Sequence, residues 1–203
     1  MSTVAPSATL REVSGLGDQL PRLAEATVVL IDFQNTYRTG VMALTGAEEA
    51  LAAGARLLAA ARELGRPIVH IVNDGGEGTP YDIRAEIGSI SAEVAPRAGE
   101  PVVVKQVPNA FFGTELEQTL KDLGAGPELV LAGFMTHMCV TFTAQGAFNL
   151  GYRPTVVAEA TATRALPAPG GPALSAAALQ AAALTTIADL FGVVAPTVDD
   201  LTA

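Results

Sequence analysis

The single cysteine of the chain, Cys139, lies in a stretch whose pattern predicts a strand, a tight turn and a helix. In residues 128–150 an apolar run comes first, Gly133 marks the turn, and apolar residues at helical spacing then continue to Gly151. We expect Cys139 at the start of the helix, where unpaired backbone N–H groups and the helix dipole would lower the pKa of its thiol and make it a nucleophile. The alternative is structural, because a free cysteine is commonly a small buried hydrophobic residue.

Two further residues that could do chemistry, Asp32 and Lys105, each follow an apolar run. Either could be structural, since an aspartate often caps a turn and a lysine often extends to water. Lysine is scarce here, however, because Lys105 and Lys121 are the only two in the chain. A carboxylate, an ammonium and a thiol could together supply a base for the thiol proton, a cation for the thiolate and the nucleophile itself. An amide-cleaving cysteine enzyme needs this set, together with backbone N–H donors for the oxyanion.

The elements that would position these residues alternate between strand and helix. Helices are predicted over 45–65, 114–124, the segment that ends at Gly151, and 175–190, and two of them open with capping boxes at Thr45–Glu48 and Thr114–Glu117. Residues 81–100 allow one short helix. Strands are predicted at 27–31, 67–72, 101–104, 129–132, 154–158 and 192–194.

Alternation of this kind predicts an α/β fold with a mostly parallel sheet and helices on both faces, a three-layer α/β/α sandwich. Ligands bind such sheets beyond the carboxyl ends of the strands. Asp32, Lys105 and Cys139 each come at or just after such an end, so we expect them at one edge of the sheet. Residues 1–24 predict an irregular N-terminal arm, and residues 25–203 predict a single domain.

Composition excludes several classes of function. The net charge is −9, with 12 basic and 21 acidic residues, which argues against a nucleic-acid partner. No run of about 18 apolar residues predicts a membrane span, and the start of the chain lacks a signal-peptide pattern. One cysteine cannot form an internal disulfide, which indicates a reducing, cytoplasmic compartment. The first predicted strand is followed by Asp-Phe-Gln-Asn instead of a glycine-rich turn, which argues against a dinucleotide site.

Three segments resemble the signatures of the isochorismatase-like cysteine hydrolases. They are Val-Val-Leu-Ile-Asp-Phe-Gln-Asn at 28–35, Lys105 with Asn-Ala-Phe-Phe-Gly-Thr at 109–114, and Ala-Gly-Phe-Met-Thr-His-Met-Cys-Val-Thr-Phe-Thr-Ala at 132–144. The resemblance implies a six-stranded sheet of order 3-2-1-4-5-6, numbered along the chain, and a homodimer or homotetramer. It also implies a catalytic triad of Asp32, Lys105 and Cys139.

The resemblance further implies a non-proline cis peptide, which by position joins Phe134 and Met135. We expect the backbone N–H groups of Met135 and Cys139 to point at one place and form an oxyanion hole. In the implied strand order, strand 3 lies about 10 Å from strand 1, at ~4.8 Å per strand. A lysine can cross that gap.

The expected reaction is cleavage of a small amide, ureide or lactam through a thioester, without a cofactor. Asp32 would take the thiol proton, return it to the leaving nitrogen and then activate water. Loop residues at the reactive edge are candidates for the substrate pocket, although each ring could simply pack in the core. They are Phe33, Asn35, Tyr37, Phe111, Phe112, Phe134 and His137.

Several alternatives stay open at the level of sequence. Family members that act on nicotinamide carry a histidine-containing metal loop, whereas this chain has only His70, in a predicted strand, and His137, in the nucleophile turn. Two separated histidines make a poor zinc site, so we expect no metal. Acidic residues after the second strand would favour a cationic substrate, as in the streptothricin-inactivating members. Isochorismate-cleaving members hydrolyse an ether without the cysteine. A non-catalytic or thiol-sensing module is the alternative from a different class.

Overall fold

A computed structural model describes residues 6–202. It contains one six-stranded sheet in which every neighbouring pair is parallel and the order is β3-β2-β1-β4-β5-β6. The α/β class and the strand order are therefore confirmed. The strands are β1 (Thr27–Ile31), β2 (Ile68–Asn73), β3 (Val102–Lys105), β4 (Glu128–Phe134), β5 (Arg153–Ala162) and β6 (Val193–Ala195).

The helices of the described residues are α1 (Leu10–Val13), α2 (Ala47–Glu63), α3 (Leu116–Asp122), α4 (Thr141–Asn149), α5 (Ala176–Thr186) and α6 (Asp199–Thr202). Two details differ from the sequence patterns. The predicted capping boxes are not formed: α2 begins after Gly46, whose φ is 79°, and the Thr45 amide instead donates to the Thr163 carbonyl. At the start of α3, Thr114 accepts from the Leu116 amide at 3.2 Å instead of forming the predicted box with Glu117. Residues 81–100 contain two 3-10 turns, Glu86–Gly88 and Ala92–Val94, instead of one helix.

Alternate residues of β1 separate two hydrophobic cores. Val28 and Leu30 point to the face covered by α2, whereas Val29 and Ile31 point to the face covered by α3 and α4. All four side chains are at most 2% exposed. Because both faces of a central parallel strand are covered, the strand is apolar throughout, and polar chemistry is possible only where it ends.

The N-terminal arm packs on the carboxyl-terminal part of the chain. Its single helical turn, α1, is held by a capping box between Thr9 and Glu12. The Leu10 amide donates to Asp189, and the Arg11 guanidinium donates to the carbonyl of Leu190. Residues 1–5 of the predicted arm, and residue 203, lie outside the described residues. Within residues 6–202, no helix has both the length and the apolar character needed to cross a bilayer.

Candidate active site

Asp32 follows β1 directly and turns the chain at the carboxyl edge of the sheet. Its φ is +51°, the left-handed conformation that aspartate tolerates better than most residues. The Asp32 amide still donates to Ile71 of β2 at 3.0 Å, which fixes the start of the turn. The side chain is fully buried.

Lys105 is the last residue of β3, two strands away from β1, and its side chain crosses the intervening strand. Its Nζ lies 2.7 Å from Oδ2 of Asp32 and 3.2 Å from Sγ of Cys139. A third contact, at 3.3 Å, is with Oδ1 of Asn73 at the end of β2. Lys105 is 1% exposed. The structure therefore brings the three predicted residues together around one ammonium nitrogen.

Cys139 lies in a single π-helical turn, Thr136–Val140, which connects β4 to α4. Cys139 is 7% exposed, and Asp32 and Lys105 are 0% and 1% exposed, so all three residues are buried at this edge of the sheet. The regular helix begins only at Thr141, and Cys139 precedes it. The thiol is therefore held beside Asp32 and Lys105 by an irregular turn.

The expectation that the pKa of Cys139 is lowered is wrong. Burial and the negative charge of Asp32 raise the pKa of the Cys139 thiol to about 12, and the nearby Lys105 ammonium offsets only part of this. Burial also raises the pKa of Asp32 despite the opposing Lys105. The pKa of Lys105 is raised although burial opposes this, because the charges of Asp32 and Cys139 stabilise its ammonium form.

A thiol, a carboxylate and an ammonium have no net charge. Loss of a proton to solvent would leave a net negative charge in a buried site, which is costly. Transfer of the thiol proton to Asp32 leaves the net charge unchanged and creates a thiolate beside Lys105. The protonation equilibria of the three groups are therefore coupled. For this reason the pKa of the thiol alone does not describe how the thiolate forms.

Two residues that support Lys105 were missed as site residues in the sequence. The Gln34 side chain, which is fully buried, donates to the carbonyls of Asn73 and Gly88 at 3.0 and 2.6 Å and accepts from the Asn73 amide at 3.0 Å. Asn73 in turn contacts Lys105. The sequence pattern that could have identified them is a polar residue at the end of one strand, Asn73, and another just after the end of the neighbouring strand, Gln34. Gln34 and Asn73 hold the loop after β2 in place.

The backbone of the nucleophile turn supplies a donor. The Met135 amide donates to no backbone or side-chain acceptor among residues 6–202. The peptide bond between Phe134 and Met135 is cis, at the position that the family resemblance implies. Met135 itself is 7% exposed.

The candidate pocket residues occupy different environments. Phe33 and Phe134 pack edge to face at 4.8 Å and are at most 2% exposed, which places both in the core instead of facing open space. Phe111 stacks on Tyr152, and Phe112 is 72% exposed. Tertiary packing determines where these side chains lie, and the sequence pattern of a loop does not predict it.

The Asn35 side chain forms hydrogen bonds with three residues of the segment 86–91. Its amide donates to the Glu86 carbonyl at 2.9 Å and to Ser89 at 3.1 Å, and it accepts from Ser91 at 2.9 Å. Asn35 therefore anchors the loop that covers this side of the site.

Tyr37 is buried like Phe33 and Phe134, whereas His137 is partly exposed. Tyr37 is 1% exposed, and burial raises its pKa, with further contributions from the charges of Asp32 and Cys139. Tyr37 packs edge to face with Tyr81 at 5.7 Å, and Tyr81 was not identified from sequence. His137 is half-buried, and its Nδ1 lies 2.6 Å from the Thr163 hydroxyl.

The two histidines do not share a site. His70 Nε2 pairs with Glu100 at 3.0 Å in the protein interior, whereas His137 contacts Thr163. In residues 6–202 no group of three or more His, Cys, Asp or Glu side chains is arranged to hold a metal ion. A separate cavity of about 580 Å³ lies at the amino end of β4 and β5, lined in part by Glu128, Arg153 and Pro154, and contains none of the three reactive residues.

The doubly wound parallel sheet therefore carries a thiol, a carboxylate and an ammonium at its carboxyl edge, where ligands bind in sheets of this kind. Residues 26–199 match the isochorismatase domain. The chain belongs to the isochorismatase family.

Solved structures and curated relatives agree with this assignment. The crystal structure of an isochorismatase from Pseudomonas putida KT2440 superimposes with a TM-score of 0.91 at 38% identity, and the match covers 96% of this chain and 99% of that one. An uncharacterized isochorismatase family protein of Bacillus subtilis, YddQ, is 38% identical over 68% of this chain and 78% of its own length.

Some relatives are hydrolases of carbon–nitrogen bonds. A maleamate amidohydrolase of Pseudomonas putida is 32% identical over 68% of this chain and 72% of its own length. A streptothricin hydrolase of Streptomyces noursei is 33% identical over 70% of this chain, but the match spans only 51% of that protein.

Proposed function

We propose that this protein is a cysteine amidohydrolase that cleaves a carbon–nitrogen bond of a small molecule through a thioester. The observation that carries the proposal is the position of the Lys105 ammonium, 2.7 Å from Asp32 and 3.2 Å from the Cys139 sulfur, at the buried carboxyl edge of the sheet. The amidohydrolases among the relatives support the same reaction class.

The first step forms the nucleophile and the carbon–sulfur bond. Asp32 takes the proton of the Cys139 thiol as the sulfur attacks the carboxamide carbon, and Lys105 stabilises the sulfur while its negative charge develops. The raised pKa of Asp32 suits a general base, because a base works best when its pKa lies near the operating pH.

The tetrahedral intermediate carries an oxyanion. The Met135 amide, which has no acceptor among residues 6–202, is the first proposed donor to it, and the Cys139 amide is the second. Collapse of the intermediate breaks the carbon–nitrogen bond, and the proton on Asp32 passes to the leaving nitrogen. The products of this half-reaction are an amine or ammonia and a thioester on Cys139.

Water completes the cycle. Asp32, again ionised, takes one proton from a water molecule as the oxygen attacks the thioester carbon. The carbon–sulfur bond then breaks, the carboxylic acid leaves, and the proton on Asp32 returns to the thiolate. The net charge of the three residues and the bound substrate together stays unchanged through these steps, because the oxyanion balances Lys105 while Asp32 holds the proton, until product ionises in solvent.

The thiol-sensor alternative has less support. Cysteines that respond to oxidants are accessible and have a low pKa. Cys139 is 7% exposed, and its pKa is raised. A thiol of this kind reacts when a bound substrate is placed against it and a base is within reach.

The proposal is tested with a panel of small primary amides, ureides, N-carbamoyl acids and lactams. We expect the wild-type protein to hydrolyse at least one class, and Cys139→Ala to lose this turnover while its far-ultraviolet circular dichroism is unchanged. Mass spectrometry of the wild-type protein during turnover should detect an acyl group on Cys139. Hydrolysis that persists in Cys139→Ala would refute the covalent route.

A further inference from the structure

The Gln34 side chain continues the pairing between β1 and β2 beyond the end of β1. The Asp32 amide donates to Ile71 of β2 at 3.0 Å, but the Asp32 carbonyl turns away and accepts from the Gln34 amide at 2.7 Å. From this turn, the Gln34 side chain accepts from the Asn73 amide and donates to the Asn73 carbonyl, each at 3.0 Å. The side-chain amide therefore takes the place of a peptide unit and holds the last residue of β2 by its backbone.

The hydrogen-bonding groups of the Gln34 side chain are all paired. Its second Nε2 hydrogen bond goes to the Gly88 carbonyl at 2.6 Å, in the segment 86–91. The side chain is 0% exposed, and both of its donors and its acceptor have partners, so it is held in one orientation. Gln34 and Asp32 belong to the same turn. The position of Asn73 is therefore fixed in relation to the carboxylate that serves as the proposed base.

The Lys105 ammonium has three neighbours, one for each of its N–H groups. Its Nζ lies 2.7 Å from Oδ2 of Asp32, 3.2 Å from Sγ of Cys139 and 3.3 Å from Oδ1 of Asn73. Asp32 and Cys139 exchange a proton in the proposed reaction, so their attraction for the ammonium changes from step to step. The side-chain amide of Asn73 is neutral at every step. Its contact with Nζ is therefore the one that stays constant while the proton moves.

We propose that Gln34 is a positioning residue that acts through Asn73 to hold the Lys105 ammonium against the sulfur of Cys139. One turn then sets both the base and the cation, because it carries Asp32 directly and reaches Lys105 through Asn73. Small displacements matter here, since a misplacement of about 1 Å in a catalytic group can cost a large part of the rate. The importance of this contact for turnover rests on the proposed amidohydrolase function, whereas its effect on the thiol does not.

Alkylation of Cys139 by iodoacetamide tests the proposal without any substrate. The thiolate is the form that reacts, and Cys139 is the only cysteine in the chain, so the rate reports one site. Asn73→Ala removes the contact with Nζ but keeps the backbone groups that Gln34 holds. It should lower the alkylation rate by about 10-fold, the change expected when one hydrogen bond to a charged group is lost. Gln34→Ala should lower the rate by a similar factor.

A double variant distinguishes positioning from a general structural role. If Gln34 acts through Asn73, Gln34→Ala with Asn73→Ala should react within about threefold of Gln34→Ala alone, whereas two independent losses would multiply to about 100-fold. Gln34→Glu keeps the length of the side chain and the acceptor for the Asn73 amide, and it replaces Gln34→Ala in this comparison if circular dichroism shows that variant to be unfolded.

Ser91→Ala is the matched control. The Ser91 hydroxyl is buried in the same covering segment and donates to Asn35 at 2.9 Å instead of to Asn73 or Lys105. Its removal costs a hydrogen bond of similar burial and should leave the alkylation rate within about threefold of the wild type.

Steady-state kinetics connect the contact with turnover. For an amide that the wild type hydrolyses, Asn73→Ala should lower kcat and leave KM within about threefold, because the contact is with Lys105 and not with substrate. An unchanged alkylation rate in Asn73→Ala, or a loss of about 100-fold in the double variant, would overturn the role of Gln34 even in an active amidohydrolase. The expected alkylation pattern in a protein that hydrolyses no amide of the panel would refute the amidohydrolase and leave the positioning role standing.

Discussion

Lys105 is the residue on which the electrostatics of the site depend. It contacts both Asp32 and Cys139 and is itself almost fully buried. A buried ion pair is weak evidence for stability, because desolvation can cost more than the attraction returns. The arrangement is better explained by chemistry: it holds a carboxylate next to a thiol without a net charge. Substitutions that remove one or both charges of this ion pair should therefore have different effects on catalysis and on stability.

The chain offers a matched pair of lysines for this prediction. Lys105→Met should lower kcat/KM by at least about 100-fold, because the developing thiolate loses its cation. It should also lower the free energy of unfolding by about 3–5 kcal/mol, since Asp32 is left buried without a partner. Lys121→Met removes a lysine from an exposed pair with Glu117 and should change both quantities little. Steady-state kinetics and urea unfolding measure the two effects.

A double substitution separates the two roles of Lys105. In Asp32→Asn with Lys105→Met, the buried charges are removed together, so much of the lost stability should return while activity stays absent. Asparagine also tolerates the left-handed backbone that Asp32 adopts. Recovery of activity along with stability would show that the pair acts only on folding.

At the scale of elements, the close pairing of β1 with β4 positions the site. Gly133 of β4 lies opposite Ile31, the residue before Asp32, and has a φ of +132°. A Cβ at Gly133 would lie 1.9 Å from the Ile31 carbonyl oxygen. Only glycine allows the two backbones to approach in this way, and the approach sets the distance between the Asp32 turn and the Cys139 turn.

Substitution of Gly133 should therefore affect both folding and activity. Gly133→Ala should lower the free energy of unfolding by about 2–5 kcal/mol, through backbone strain and the clash with Ile31. Gly126→Ala is the control, because a Cβ there meets nothing within 4 Å, and its effect should stay within about 1 kcal/mol. Urea unfolding of the two variants gives the comparison. Similar stabilities would contradict the role of the β1–β4 contact.

At the scale of the whole molecule, a second charged group connects α2, β2 and the segment before β3. Arg62 of α2 pairs with Glu100 at 2.8 Å, and Glu100 also accepts from His70 of β2 at 3.0 Å. The Arg62 side chain is 17% exposed and that of Glu100 is 12% exposed. The hydrogen bond from Arg62 is the main cause that lowers the pKa of Glu100 to about 2. Burial lowers the pKa of His70, so the folded protein keeps it neutral.

These shifts predict how stability depends on pH. The pKa of Glu100 is lower in the folded than in the unfolded chain, so its contribution is present above about pH 4.5 and is lost as the pH falls toward about 2. His70 adds to the loss below about pH 6.5, because the unfolded chain binds a proton that the folded chain does not. Acid should therefore destabilise the protein well before its surface carboxylates are all protonated.

Glu100→Gln tests this pH dependence. The variant should be less stable than the wild type by about 3 kcal/mol at pH 7, and the difference should shrink as the pH is lowered below about 4.5. Glu117→Gln, in an exposed pair, should differ from the wild type by less than about 1 kcal/mol at every pH. Urea unfolding at a series of pH values measures the difference. A difference for Glu100→Gln that stays constant with pH would contradict the assignment.

The sequence by itself determined the class of fold and indicated that Asp32, Lys105 and Cys139 meet at one edge of the sheet. Apolar runs that alternate with helical patterns predict a parallel sheet, and parallel strands all end at one edge, so Asp32, Lys105 and Cys139 could be placed together before any coordinates. The strand order implied by the family resemblance, together with strand spacing, also predicts that the lysine must reach across two strands.

Only the tertiary structure decided the electrostatics and the surroundings of that group. The pKa of Cys139 is raised because burial and the Asp32 charge outweigh Lys105, and neither burial nor distance is readable from a helix-start pattern. Phe33 and Phe134 pack in the core because the contacts of a side chain depend on residues far away in the chain. Local patterns specify elements, whereas desolvation and charge pairing arise only when those elements pack.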